Sequence, residues 1–265
     1  MKKKLCRITA LLLAAVLSLG GCGQPGAGKK RTDSTQQTEE TKNKKEDQSK
    51  SDKKGPEIDG LTYESTMDLT YATEFDVYDY KDGYKLLDVH EDRQYLVVPE
   101  GKEAPEGLSE DIVVLQQPLD HIYMAATAIM SLLDAVDAID QVKFSGLNAS
   151  GWYVEDAKKA MESGDMIYAG KYSEPDYETL VNGECDLAVE STMILHTPKV
   201  QEMIEDLDIP VFVDYSSYES HPLGRTEWIK LYGAMLNKED AADSFFEKQA
   251  QVIEKLKGFE NTEKT

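Results

Sequence analysis

Basic residues, cysteines and long apolar runs are all scarce in this sequence of 265 residues. It contains 29 Lys and Arg against 50 Asp and Glu, a formal charge of −21, and so acidic a chain repels the phosphate groups that a nucleic-acid-binding protein must attract. Three cysteines are too few for a disulfide scaffold. Only one apolar run is present, which excludes a protein with several membrane spans. We therefore expect an acidic chain that binds no nucleic acid.

The charge is unevenly distributed along the chain. Residues 1–22 contain four basic and no acidic residues, and residues 23–57 contain nine basic and seven acidic ones. The rest of the chain, 58–265, contains 16 Lys and Arg against 43 Asp and Glu, a charge of −27. This part is more acidic than the total indicates. Such a charge suits an exported protein and argues against direct attraction to an anionic membrane surface.

The N-terminal segment has the pattern of an export signal. Residues 1–7 are basic, and the apolar run at 8–19 is too short for a permanent membrane span but right for a signal peptide. The run ends in Leu19-Gly20-Gly21-Cys22, which resembles the lipobox of bacterial lipoproteins. The resemblance implies cleavage before Cys22, a diacylglycerol on its sulfur and an amide-linked fatty acid such as palmitate, which together anchor the protein at the outer face of the cell membrane. The alternative is an ordinary secretory signal with a chance cysteine.

Two further segments precede the main α/β region. Residues 23–57 contain no aromatic and almost no aliphatic side chain, so we expect a disordered tether. Residues 58–110 form a predicted β preamble, with strands at 74–80, 84–89 and 94–98. Asp82-Gly83 between the first two is a strong hairpin signal.

From residue 111 the pattern changes to alternating strands and helices. The predicted strands are 112–115, 142–146, 167–168, 186–189 and 210–213. The predicted helices are 119–139, 154–162, 175–181 (with proline in its first turn), 198–207, 226–236 and 239–256. This alternation with short links predicts an α/β fold with a parallel sheet flanked by helices. Ligands of such sheets bind beyond the carboxyl ends of the strands.

Four stretches in this region carry a family resemblance. They are the strand Ile112–Leu115 with the helix after it, Pro175–Leu180 followed by Cys185–Val189, Ile209–Val213, and Pro222–Lys230. Over residues 111–256 the sequence resembles the substrate-binding proteins of iron-siderophore, haem and cobalamin ABC importers. It departs from the family at Cys185, where proline is usual.

The resemblance implies two α/β lobes joined by one rigid helix, with the ligand in the cleft between them. On this basis we expect residues 111–225 to form the N-terminal lobe and residues 226–265 to begin the connecting helix. The second lobe is expected to be absent, so we expect either that the sequence is a fragment or truncated product, or that the ligand site is only half built.

The resemblance and the strand pattern also assign site residues. Glu178 matches a family glutamate that docks on an arginine pocket of the permease; the alternative is a solvated helix charge. Ligand contacts are expected from loops after strands, where aromatic faces suit a flat macrocycle or catecholate and basic groups suit an anionic chelate. The ligand-binding candidates are Gln116, Gln117, His121, Lys171, Tyr172, Glu190, Ser191, Thr192, Ser220, His221 and Arg225.

Structural roles remain open for several of these residues: Tyr172 as a partly exposed loop aromatic, Ser191 and Thr192 as helix caps, and Arg225 in an ion pair. The histidines have no helix-face spacing, so no metal site is predicted. No catalytic motif is present, and a pair such as Glu190 and Glu219 arises by chance among 43 acids.

The expected function is capture of a metal chelate, an iron-siderophore first, and its delivery to an ABC permease with its ATPase. We expect a monomer without a cofactor of its own. Haem or a corrinoid is the alternative ligand. From another class, the chain could be a surface adhesion or sensor module built on a single lobe.

Overall fold

The computed structural model describes residues 54–90 and 92–257. The predicted signal peptide, the lipid attachment at Cys22 and most of the predicted tether lie outside these residues. The end of the predicted tether is among the described residues. Gly55 is buried, and the Pro56 carbonyl accepts a hydrogen bond of 2.6 Å from the Tyr80 hydroxyl. These two residues pack on the first sheet, because the tyrosines of that sheet offer them both apolar surface and a donor.

The first sheet has five strands in sequential order, and the predicted meander is confirmed. All its strand pairs are antiparallel except the last, between the fourth and fifth strands, which is parallel. Asp82 and Gly83, in the connection between the second and third strands, have φ of 65° and 87°, a conformation that aspartate and glycine tolerate. The strands are β1 (Tyr63–Thr66), β2 (Phe75–Tyr80), β3 (Lys85–Val89), β4 (Gln94–Val98) and β5 (Ile112–Gln116).

The second sheet has five strands, which are β6 (Ile122–Met124), β7 (Val142–Ser145), β8 (Ile167–Tyr168), β11 (Leu187–Ser191) and β12 (Val211–Asp214). It is parallel throughout and has the order β12-β11-β6-β7-β8. A short antiparallel hairpin, β9 (Gly170–Lys171) and β10 (Glu174–Pro175), follows β8.

Six α-helices accompany the sheets in the described residues. They are α1 (Met130–Ala135), α2 (Glu155–Ser163), α3 (Tyr177–Asn182), α4 (Pro198–Glu205), α5 (Pro222–Leu236) and α6 (Glu239–Lys257). Within the described ranges, no helix combines the length and apolar character that crossing a membrane requires. The predicted fold class, an α/β fold with a parallel sheet, flanking helices and an antiparallel meander, is confirmed.

Two predicted elements are wrong in detail. Ile112–Gln116 belongs to the first sheet, beside β4, and does not open the parallel sheet. The predicted helix 119–139 is the short strand β6 followed by α1. Ile122, Tyr123 and Met124 are all buried, and a strand buried on both faces shows no alternation that separates it from a helix.

The third helix also begins later than predicted. Pro175 lies in β10, and α3 starts at Tyr177 with Asp176 as its N-cap. The Asp176 carboxylate accepts a hydrogen bond of 3.1 Å from the Thr179 amide. This capping bond lowers the pKa of Asp176.

Helix α5 lies in the core and touches both sheets. Eleven of its fifteen residues are buried, as expected of a helix that is apolar on all sides. The Trp228 ring packs on Phe75 of the first sheet with a centroid distance of 4.9 Å. The Tyr232 hydroxyl donates a hydrogen bond of 2.7 Å to Asp214 of the second sheet. The β preamble therefore shares its main core with the parallel sheet.

Candidate functional site

The carboxyl ends of the five parallel strands define the candidate site. The segments that leave this edge are 125–129 after β6, 146–154 after β7, 169–173 after β8, 192–197 after β11 and 215–221 after β12. Because all five strands run in the same direction, these segments meet at one edge of the sheet, which we call the carboxyl edge.

The carboxyl edge exposes large apolar and aromatic side chains. Tyr153, after β7, is 97% exposed. Four others are about half exposed: Tyr168 at the end of β8, Met193 and Leu195 after β11, and Tyr218 after β12. Side chains of this kind on neighbouring loops are typical of a ligand-binding surface. Tyr218 lies in the loop after residues 210–213, from which ligand contacts were expected, but Tyr153, Tyr168, Met193 and Leu195 were not among the predicted contacts, although their positions at the ends of parallel strands were the signal that could have found them.

The hairpin β9–β10 places Lys171 and Tyr172 near this edge. Gly170 has a φ of 82°, and a Cβ at that position would lie 2.3 Å from the Glu174 carbonyl oxygen, so only glycine fits. The Tyr123 hydroxyl donates a hydrogen bond of 3.0 Å to the Gly170 carbonyl, which ties the hairpin to the sheet. Lys171 is exposed and pairs with Glu174 at 3.1 Å, and Tyr172, in the turn, is partly exposed.

Arg225, Ser220 and His221 lie at or beside the loop after β12. Arg225 donates to the Ser217 carbonyl at 3.0 Å, so its guanidinium holds this loop. His221 caps α5, since its Nδ1 accepts a hydrogen bond of 3.1 Å from the Leu223 amide, and its ring stacks on Tyr71 at 4.6 Å. Ser220 is exposed.

The strand β11 is longer than predicted and includes Glu190 and Ser191. The prediction that Glu190 lies in the following loop is therefore wrong. Glu190 has no exposed surface, and neither carboxyl oxygen has a hydrogen-bond partner among the described residues. Burial raises the pKa of Glu190 to about 8. Ser191 caps the next turn by accepting from the Met193 amide at 3.4 Å, and Thr192 is partly exposed beside it.

Gln116 ends β5 of the first sheet and Gln117 directly follows it, so the prediction that they follow a strand of the parallel sheet is wrong. The Gln117 side-chain amide donates a hydrogen bond of 2.9 Å to the Met235 carbonyl, and its side-chain oxygen accepts one of 3.1 Å from the Asn237 side chain. This side chain therefore closes the C-terminal end of α5. Gln116 donates to the Pro99 carbonyl at 3.2 Å.

His121 lies at the opposite edge of the parallel sheet, because it immediately precedes β6. It is not brought together with the residues of the carboxyl edge. It stands instead beside Asp120 and Asp186, and donor atoms of these three side chains all lie within 4.8 Å of one another. These are residues of the described part of the chain that could hold a metal ion.

Glu178 is exposed in the first turn of α3. A carboxylate in this position can reach a partner protein, so the geometry is compatible with the predicted docking role. The two tryptophans are in packing positions: Trp228 is fully buried, and Trp152 is 7% exposed and its indole N–H donates a hydrogen bond of 2.9 Å to the Ser145 hydroxyl.

Among the described residues, four cavities of about 370 to 730 Å³ lie away from the carboxyl edge. One of about 730 Å³ is lined by residues of β1 and the start of α6, and its Lys85 is paired with Asp79 and Glu239. One of about 540 Å³ lies between α1 and α2 and is rich in aspartate. None of the four includes a residue from the five segments of the carboxyl edge.

Comparison with known proteins finds two similar curated proteins, both uncharacterized lipoproteins of Methanocaldococcus jannaschii. MJ0878 is 28% identical over 155 residues, which are 55% of this chain and 36% of that protein. MJ0872 is 23% identical over 261 residues, 96% of this chain and 62% of that protein. The chain thus spans less than two thirds of the length of either relative. No family model matches the chain.

Among solved structures, the periplasmic haem-binding protein HutB of Vibrio cholerae is similar to this chain. The similarity covers 54% of this chain and 51% of that one, with 20% identity and a TM-score of 0.43. A score this low defines neither a shared fold nor a shared ligand.

Proposed function

We propose that the chain is a lipid-anchored, extracytoplasmic solute-binding protein that captures a metal chelate and delivers it to an ABC importer. The observation that carries the proposal is the carboxyl edge, where a parallel sheet presents exposed tyrosine and apolar side chains from several loops. The lipobox-like segment that ends at Cys22 supports the location. The curated relatives, which are named lipoproteins, support it too.

A metal chelate suits this surface better than a small polar solute. Tyr153, Tyr168 and Tyr218 offer flat faces to an aromatic catecholate or a macrocycle. Lys171 and Arg225 lie near them and provide cationic groups. An iron-siderophore is the first choice, and haem or a corrinoid is the alternative in the same role.

Titration of the full chain with ferric siderophores, haem and cobalamin tests the proposal. Trp152 lies after β7, at the carboxyl edge, so an iron chelate bound there should quench its fluorescence saturably. Failure of every chelate to give saturable quenching would contradict the proposed function.

Two methionines with nearly equal exposure provide a matched pair of variants. Met193, on the carboxyl edge, is 46% exposed, and Met203, on α4, is 49% exposed. Met193→Ala is expected to weaken binding of the chelate roughly tenfold, because apolar contact area is lost, whereas Met203→Ala should leave it unchanged. Equal effects of both variants on the dissociation constant would show that the ligand does not use this edge.

Glu178→Ala is expected to lower chelate uptake about tenfold without changing chelate affinity, because it removes a charge-assisted contact with the permease. Uptake of radiolabelled iron by cells that carry the variant as their only copy measures this effect. Glu202→Ala, at another exposed helix position, is the control. Unchanged uptake in the Glu178 variant would exclude the docking role and leave chelate binding untouched.

A further inference from the structure

Asp120, His121 and Asp186 come together at the amino edge of the parallel sheet. β6 begins at Ile122 and β11 at Leu187, and these two residues are direct neighbours across the sheet. The residues just before them are consequently neighbours too, and the Asp186 amide donates a hydrogen bond of 3.3 Å to the His121 carbonyl. The site is therefore built on the starts of two adjacent core strands.

The Asp186 carboxylate is held in a fixed orientation by the backbone. Its Oδ2 accepts hydrogen bonds from the amides of Asp120, at 2.8 Å, and His121, at 2.9 Å. Its other oxygen, Oδ1, is buried and has no hydrogen-bond partner within the described residues. A buried carboxylate oxygen without a donor is costly, and a cation beside it would offset that cost.

The three side chains offer a mixed set of nitrogen and oxygen donors. His121 Nδ1 lies 3.0 Å from Asp120 Oδ1, and the donor atoms of all three residues are within 4.8 Å of one another. Ligand atoms of a tetrahedral zinc site are roughly 3.4 Å apart for bonds of about 2.0–2.1 Å, so donor atoms within 4.8 Å of one another are close to the spacing that such an ion requires. Asp120 and His121 have 54% and 40% exposed side chains, which leaves room for water on the remaining positions.

We infer that Asp120, His121 and Asp186 bind one divalent transition-metal ion, with Zn²⁺ as the best fit. An imidazole beside carboxylates favours such an ion over Ca²⁺ or Mg²⁺, which prefer oxygen ligands alone. The charge of −27 on residues 58–265 raises the local concentration of cations. The site is separate from the proposed chelate site, since it lies at the opposite edge of the sheet.

Calorimetric titration of the metal-free full chain with ZnCl₂ tests the site, together with thermal unfolding at each metal concentration. Zn²⁺ at about 100 times its dissociation constant is expected to raise the Tm by at least about 5 °C. His121→Ala is expected to remove one bound ion per chain or weaken it on the order of 100-fold. His196→Ala, which removes an exposed histidine elsewhere, should keep both the stoichiometry and the affinity.

Asp120→Asn provides a second variant at a mostly exposed position, in case His121→Ala unfolds the chain. Loss of the same ion in both variants, with an unchanged Tm in the absence of metal, would support the site. The same stoichiometry and affinity in the His121 and His196 variants would overturn it. Chelate binding that persists in the His121 variant would show that the two sites are independent.

Discussion

Replacement of Glu227 with alanine is expected to lower the free energy of unfolding by about 3 to 5 kcal/mol. Glu227 has no exposed surface, and its carboxylate accepts hydrogen bonds of 2.7 to 3.1 Å from the amides of Thr70, Tyr71 and Ala72. Alanine would leave these donors without their acceptor, at about 1 to 3 kcal/mol for each one that stays buried. The loss is expected to be large because three donors depend on one residue.

Urea unfolding of the variant, monitored by circular dichroism, measures this loss. Glu202→Ala, at an exposed position of α4, should change the free energy of unfolding by less than about 0.5 kcal/mol. Glu227→Gln keeps one acceptor oxygen, so its loss in free energy of unfolding should lie between those of Glu227→Ala and Glu202→Ala. A loss below about 1 kcal/mol for Glu227→Ala would mean that water replaces the carboxylate and that the segment before β2 is not held by it.

A second buried glutamate holds the same segment. Glu219 accepts hydrogen bonds from the amides of Thr73 and Glu74 and from the Trp228 indole. Together, Glu219 and Glu227 bind every amide from Thr70 to Glu74, which fixes the link between β1 and β2 against α5. No local pattern could identify these two acids, because Glu227 and Thr70 are 157 residues apart in the sequence.

Elements with local signals were predicted well. Asp82-Gly83 marked the hairpin between β2 and β3, and Pro198 marked the start of α4, as the structure confirms. The strand β6 was missed, because its three residues are buried on both faces and merge with the apolar spacing of α1. The membership of β5 was missed as well, since a buried apolar run does not reveal which sheet it joins.

The sequence predicted where the candidate site lies in the fold but not which side chains line it. Parallel strands imply a ligand edge, and Lys171, Ser191 and Arg225 do lie at or near it. Gln117 and Glu190 do not offer their side chains there: Gln117 closes the end of α5, and Glu190 is enclosed in β11. Exposure decides which side chains a ligand can reach, and exposure depends on packing between distant segments.

Relative to the wild type, Glu190→Gln is expected to gain free energy of unfolding as the pH rises from about 5 to about 8. Burial raises the pKa of this carboxyl from 4.5 to about 8 in the folded protein. The folded state therefore binds the proton more tightly than the unfolded state, and the contribution of Glu190 to the free energy of unfolding falls as the pH rises from about 4.5 to about 8. At about 1.4 kcal/mol per pH unit, the loss is on the order of 5 kcal/mol across this window.

Glutamine has nearly the same shape but cannot ionise, so the variant lacks this pH-dependent term. Its buried amide lowers the free energy of unfolding by an amount that does not depend on pH. The prediction therefore concerns how the stability difference between variant and wild type changes with pH, and not its value at one pH. Urea unfolding of both proteins at pH 5, 6, 7 and 8 should show a stability difference that increases in favour of the variant by about 3 to 4 kcal/mol over the series. The free energy of unfolding of Glu202→Gln should change with pH in the same way as that of the wild type, because that side chain is exposed. A difference between Glu190→Gln and the wild type that stays constant from pH 5 to 8 would mean that Glu190 ionises with an ordinary pKa, and hence that a donor or water reaches it inside the fold.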